Sequence, residues 1–187
     1  MTNTSRYSIV TESQPWPTLE KTQWLSAQHI QRSFFTEVSD KAQNIAANST
    51  VREHFELIQY GELSYRNVIA GASDYPLLAF KSKCWSNDKP TLLVTGGVHG
   101  YETSGVHGAL EFVDKKAAKY HSDVNILVAF CVSPWGYETI NRWNPQAIDP
   151  NRSFYKDSPA PESASLMAFV ETQNMSVDVP VDLHETT

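Results

Sequence analysis

The stretch TLLVTGGVHGYETSGVHGALEFVDKKA, residues 91–117, decides how the chain is read. Thr91 to Thr95 is a short apolar strand, and Gly96 and Gly97 interrupt it. From about Glu102 to Tyr120, Val106, Leu110, Val113 and Ala117 recur at helical spacing. A strand passing through glycines into a helix is the repeating unit of α/β proteins, and ligands in such proteins collect at loops after the carboxyl ends of strands. This loop carries His99 and Glu102, an imidazole and a carboxylate three positions apart.

On the C-terminal side the same grammar continues. Val124 to Val132 is nearly continuous in apolar residues, as expected of a central parallel strand covered on both faces. Ser163 to Glu171 reads as a helix and Val179 to Leu183 as another strand. Upstream, His54 to Tyr60 and Tyr75 to Cys84 read as strands separated by turn-forming residues. Residues 1–50 read as an N-terminal extension with a helix over Phe34 to Ala47, where Phe35, Val38, Ala42 and Ile45 share a face. The expectation is an α/β fold with a mixed, largely parallel central sheet flanked by helices, with residues 51–187 as the N-terminal portion of the domain that carries it.

The 187 residues, 41% hydrophobic and 19% charged, suffice for one folded core and argue against disorder. A net charge of -6, with no basic run longer than Lys115-Lys116, gives no footprint for nucleic acid or an anionic membrane. The longest apolar run, Ile126 to Val132, is far short of the roughly 18 residues that suggest a span. Residues 1–16 are too polar for a secretory signal, so the cytoplasm is expected. Cys84 and Cys131 fall in predicted strands and are expected to be buried thiols rather than a disulfide.

His-x-x-Glu alone is a common surface pair. A third residue changes its meaning: Val181-Asp182-Leu183-His184 puts a histidine at the tip of a separate strand. Two histidines and one glutamate, leaving a position for water, form a catalytic zinc set. Asp182 is either an outer carboxylate for that set or a surface strand residue. His107 reads as an ordinary helix residue, and His29, His54 and His121 lack partners at ligand spacing. Between the two metal segments lie Arg142 and Asp149-Pro150-Asn151-Arg152. Guanidinium groups there can clamp a substrate carboxylate and stabilise an oxyanion, whereas the plainer reading has Asp149 pairing with Arg152 and capping the turn.

The ordered set His99-x-x-Glu102, Arg142, Asp149-x-Asn151-Arg152 and Asp182-x-His184 resembles the zinc carboxypeptidases of the carboxypeptidase A type and their succinylglutamate desuccinylase and aspartoacylase relatives. The resemblance covers roughly Glu53 to Thr187, and the Arg142 to Asn151 spacing looks closest to bacterial peptidases that cleave cell-wall peptides. Ser133-Pro134-Trp135-Gly136 departs from the usual Asn-Pro-x-Gly. The resemblance implies one Zn²⁺ bound by His99, Glu102 and His184. It also implies Arg142 as the catalytic residue polarising the scissile carbonyl, and Asn151 and Arg152 holding the substrate's carboxylate. The implied partner is a peptide or an N-acyl amino acid with a free carboxylate. The family's general-base glutamate lies well beyond the last ligand, so the chain is expected to stop short of it; Glu185 is too close to His184 to share its direction. Three functions follow: a zinc carboxypeptidase, an N-acyl amino acid deacylase, and a carboxylate-binding module that has lost catalysis.

Overall fold

The computed structural model describes residues 16–185. Its strands are β1 (Phe55–Ser64), β2 (Asp74–Ser82), β3 (Thr91–Gly96), β4 (Asn125–Ala129) and β5 (Val179–Leu183), and its helices are α1 (Thr18–Ser26), α2 (Asp40–Ala47), α3 (Ser49–His54), α4 (Thr103–Lys115), α5 (Pro134–Thr139) and α6 (Pro161–Thr172). The strands form one mixed sheet in the order β1-β2-β4-β3-β5. The β1-β2 and β2-β4 pairings are antiparallel, whereas β3 runs parallel to both β4 and β5.

Strand alternation divides the core between the two faces. Ile126, Val128 and Phe130 join a cluster with Val106, Leu110 and Val113 of α4 and with Phe34, Val38 and Ala42. Leu127 and Ala129 face the other way, against Leu166 of α6. Every residue of β4 is buried, as its apolar run requires, although it is parallel to one neighbour only.

Several boundaries differ from those read in the sequence. β4 ends at Ala129 because the Val132 and Ser133 amides turn to the Gly96 and Gly97 carbonyls (3.1 and 2.9 Å) instead of extending the ladder. The helix expected from Phe34 begins as a π turn, Phe35–Ser39, before α2. α1 and α3 were not anticipated, since α1 buries only Trp24 and shows no apolar stripe, and α3 has six residues. Cys84 is exposed rather than buried, because β2 stops at Ser82; Cys131 is buried. His54 and His121, read as unpartnered, stack on each other with ring centroids 3.8 Å apart. No helix among the described residues is long and apolar enough to cross a membrane.

Candidate metal centre

The parallel strands β3 and β5 end side by side, with Gly96 paired to Leu183, and the segments leaving both ends carry the candidate ligands. Gly97 turns the chain with φ +58, a left-handed conformation that disfavours any side chain with a Cβ. Gly96 and Gly100 have ordinary φ and serve close approach instead. A Cβ on Gly100 would lie 2.0 Å from the Gly136 carbonyl carbon. Gly105 has a similar role, since its Cβ would meet the Leu183 carbonyl oxygen at 2.2 Å. Its absence lets α4 rest on the end of β5, bringing Glu102, the N-cap residue of α4, over His184.

His99 and Glu102 are each only 2% exposed. His99 Nδ1 is 2.9 Å from Glu102 Oε1, and His184 Nδ1 is 2.7 Å from Glu102 Oε2. The three residues each offer a donor atom, all within 4.8 Å of one another. The outer nitrogens are also engaged: His99 Nε2 with Asp149 Oδ1 (3.0 Å) and His184 Nε2 with Asp182 Oδ2 (2.5 Å). Asp182 thus lies on the His184 side of β5, as residues two apart on a strand should, and Thr95 Oγ1 donates to its Oδ1 (2.8 Å). An imidazole whose far nitrogen is held by a carboxylate has its tautomer and ring plane fixed, which is how histidine ligands are usually supported. Two nitrogens and one carboxylate oxygen converging in a mostly buried place are the donor set that suits a zinc ion, whose bonds to such atoms are about 2.0–2.2 Å.

Asp149 is the residue whose importance the sequence understated. The plainer reading was correct as far as it went: Asp149 accepts from the Asn151 amide (3.0 Å) and lies 3.7 Å from Arg152 Nε. It also holds His99 and takes Arg142 Nε and Nη2 on Oδ2, both at 3.0 Å. Burial alone would raise its pKa, but the His99 hydrogen bond and the Arg142 charge outweigh burial and hold the carboxyl at about 2. Burial likewise opposes ionisation of Glu102, yet hydrogen bonds from His99 and His184 bring its pKa below the ordinary value. The carboxylate remains charged, as a ligand must.

Arg142 therefore reaches the centre through Asp149. Asn151 and Arg152 are the exposed residues of the 3₁₀ turn Pro150–Ser153, whose ends Pro150 and Ser153 are buried, and the Arg152 side chain is 82% exposed. The Glu185 carboxylate accepts from the Ser104 amide in the first turn of α4. A second buried carboxylate shapes the intervening loop. Asn144 Oδ1 accepts from the Gln146 and Ile148 amides, while its Nδ2 donates to Glu162 (3.0 Å), which also accepts from Tyr65 OH (2.9 Å). Nothing in the local sequence marked Glu162, because an acid after a proline reads as an ordinary first-turn residue.

Burial pushes the Glu162 carboxyl above its usual range despite those bonds. A folded-state pKa above the unfolded one means that this contribution to stability is complete below the unfolded value and is lost as pH rises through the folded value. We expect Glu162→Gln to remove that loss, so the melting temperature of the variant falls less than that of the parent between about pH 4.5 and 8. Thermal melts across this range check it; parallel pH slopes would contradict it.

Among known proteins, the family model of the succinylglutamate desuccinylase/aspartoacylase catalytic domain matches residues 88–187. No curated protein matches the sequence. The fold is similar to that of a candidate metallopeptidase of Shewanella amazonensis, with TM-score 0.62 and 24% identity, covering 84% of this chain and 61% of that one. A candidate metallopeptidase of Shewanella baltica gives TM-score 0.62 at 22% identity, with 79% and 55% covered. A metallo-carboxypeptidase from Pseudomonas aeruginosa in complex with (2-guanidinoethylmercapto)succinic acid gives TM-score 0.58 at 14% identity, with 79% and 38% covered. The chain thus spans 55% and 61% of the two Shewanella structures, and at these identities the likeness shows a carboxypeptidase-like fold.

Proposed function

Because the chain belongs to the succinylglutamate desuccinylase/aspartoacylase catalytic-domain family, we propose that it carries the zinc centre and carboxylate grip of a hydrolase. Its reaction is cleavage of an amide bond in a substrate with a free carboxylate, of which a C-terminal peptide bond is the first reading. The observation that carries this is the convergence of His99 Nδ1 and His184 Nδ1 on the two oxygens of Glu102, with Asp149 and Asp182 behind them.

His99, Glu102 and His184 would hold the ion, which when bound supplies the Lewis acidity that makes water a nucleophile near neutral pH. Asp149 orients His99 through Nε2 and positions Arg142 through Nε and Nη2, so one carboxylate ties the metal loop to the cationic loop. The Arg142 guanidinium stabilises negative charge developing on the carbonyl oxygen. Asn151 and Arg152, exposed beside it, pair with the substrate's carboxylate, a planar anion suited to a guanidinium fork. The match to the desuccinylase/aspartoacylase domain favours a second reading, removal of an acyl group from an N-acyl amino acid, which uses the same residues.

The test supplies the natural full-length protein with zinc and a panel of peptides with free C-termini, N-succinyl amino acids and N-acetyl amino acids. Chelator-sensitive release of an amino acid is expected, and Arg142→Ala should lower kcat by about 100-fold. Arg152→Ala should mainly raise KM. No hydrolysis of any class with zinc bound would overturn the proposal.

A further inference from the structure

Arg32 lies in the segment before α2, far in sequence from the candidate ligands and outside the matched residues 88–187. Its guanidinium nevertheless bonds to the metal loop at two points and to α5 at a third. Nη2 donates to the Gly100 carbonyl (3.0 Å), Nη1 to Thr103 Oγ1 (2.5 Å) and Nε to the Tyr137 carbonyl (2.6 Å). Cζ sits 3.6 Å over the Tyr137 ring. Gly100 follows His99 and Thr103 follows Glu102, so the first two bonds hold residues adjacent to two proposed ligands. The third holds α5, against whose backbone Gly100 packs without room for a Cβ. One side chain thus staples the metal loop to α5 across their closest approach.

Its own position is fixed in turn. The amide of Gln31 donates to the Glu138 carbonyl (2.8 Å), its side-chain amide to the Thr139 carbonyl (2.8 Å), and the Phe34 amide to the buried Glu138 carboxylate (2.7 Å). Arg32 appears in none of the ion pairs among the described residues. All its charge-assisted bonds therefore go to neutral acceptors on the loop and on α5, where planar fork geometry matters more than net charge.

We propose that Arg32 is a positioning residue for the metal centre: it sets the path of residues 99–103 and thereby the approach of His99 and Glu102 to His184. This rests on the metal-centre reading, and the experiment separates the two. Zinc affinity is measured by chelator competition, the visible spectrum of the cobalt-substituted protein is recorded, and amide hydrogen exchange is followed in the metal-free protein. For Arg32→Ala the zinc Kd is expected to rise about tenfold, as for removal of an outer support of a ligand, with an altered cobalt spectrum. Exchange should accelerate at the Tyr101 and Glu102 amides, bonded to the Asn141 and His99 carbonyls, and stay unchanged in β3 and β4. Arg32→Lys keeps the charge but cannot span three acceptors, so it should restore only a minor part of the affinity. If Arg32→Ala does not fold, Thr103→Val, which deletes the Nη1 acceptor together with the long Thr103 Oγ1 bond to the Tyr101 carbonyl (3.4 Å), should show the same changes at about threefold in Kd, and Thr103→Ser, which keeps the hydroxyl, should leave them at the parent's values. Unchanged affinity, spectrum and exchange in a folded variant overturn the inference. Absence of zinc binding by the parent overturns the metal reading, and the exchange measurement still decides whether Arg32 fixes the loop.

Discussion

Replacing Glu102 with Gln is expected to weaken zinc binding at least about 100-fold, the equivalent of about 3 kcal/mol, while leaving the chain folded. The carboxylate is the only anionic ligand in the proposed set, and both of its oxygens face imidazole nitrogens. An amide of the same shape keeps one oxygen but presents NH₂ to the second histidine, which can meet it only by changing tautomer. It also lacks the negative charge that offsets part of the charge of a buried dication. Because Gln is isosteric, packing around this 2% exposed residue is preserved and stability should fall only by the order of a lost hydrogen bond, about 1–3 kcal/mol. Zinc competition beside a thermal melt of the metal-free protein separates the effects. Unchanged affinity would remove Glu102 from the centre.

Gly100→Ala is expected to cost about 3–5 kcal/mol of stability and to disturb the site's geometry at the same time. The added Cβ would lie 2.0 Å from the Gly136 carbonyl carbon and 2.1 Å from the Tyr137 nitrogen, and backbone cannot yield as a flexible side chain can. Either the loop lifts away from α5, taking His99 with it, or α5 shifts and loosens the turn toward Arg142. For a chain of this size the cost corresponds to a fall in melting temperature of about 10 °C. By contrast Gly108→Ala, whose Cβ would meet only Leu183 Cδ1 at an ordinary 3.8 Å, should be neutral or mildly stabilising on α4. Melts of the two variants side by side check the contrast, and equal melting temperatures would contradict it.

Much of the α/β frame was legible because it is written in local patterns. The strand Val179 to Leu183 appears at its expected bounds, and α4 follows the Gly96-Gly97 break as its spacing of Val106, Leu110 and Val113 requires. The meeting of His99, Glu102 and His184 was legible for a different reason: the strands that lead to them are parallel, and parallel strands place their carboxyl ends at one edge. Contacts made through tertiary packing were not legible. Asp149 was visible as a turn cap, but its links to His99 and Arg142 depend on a loop held by Asn144 and Glu162. Arg32 sits in a segment with no motif at all, and only the approach of that segment to α5 reveals its bonds. The unanticipated α1 follows the same rule, for its one buried residue, Trp24, packs edge-to-face on Trp16, Trp135 and Trp143.

The central claim is that His99, Glu102 and His184 bind one metal ion together. The most direct measurement is anomalous diffraction at the zinc edge from crystals grown with zinc. The account predicts a single strong peak about 2.0–2.2 Å from His99 Nδ1, His184 Nδ1 and a Glu102 carboxylate oxygen, with His99 Nε2 still on Asp149 and His184 Nε2 still on Asp182. Zinc bound elsewhere, or a peak touching only one of the three residues, would contradict it.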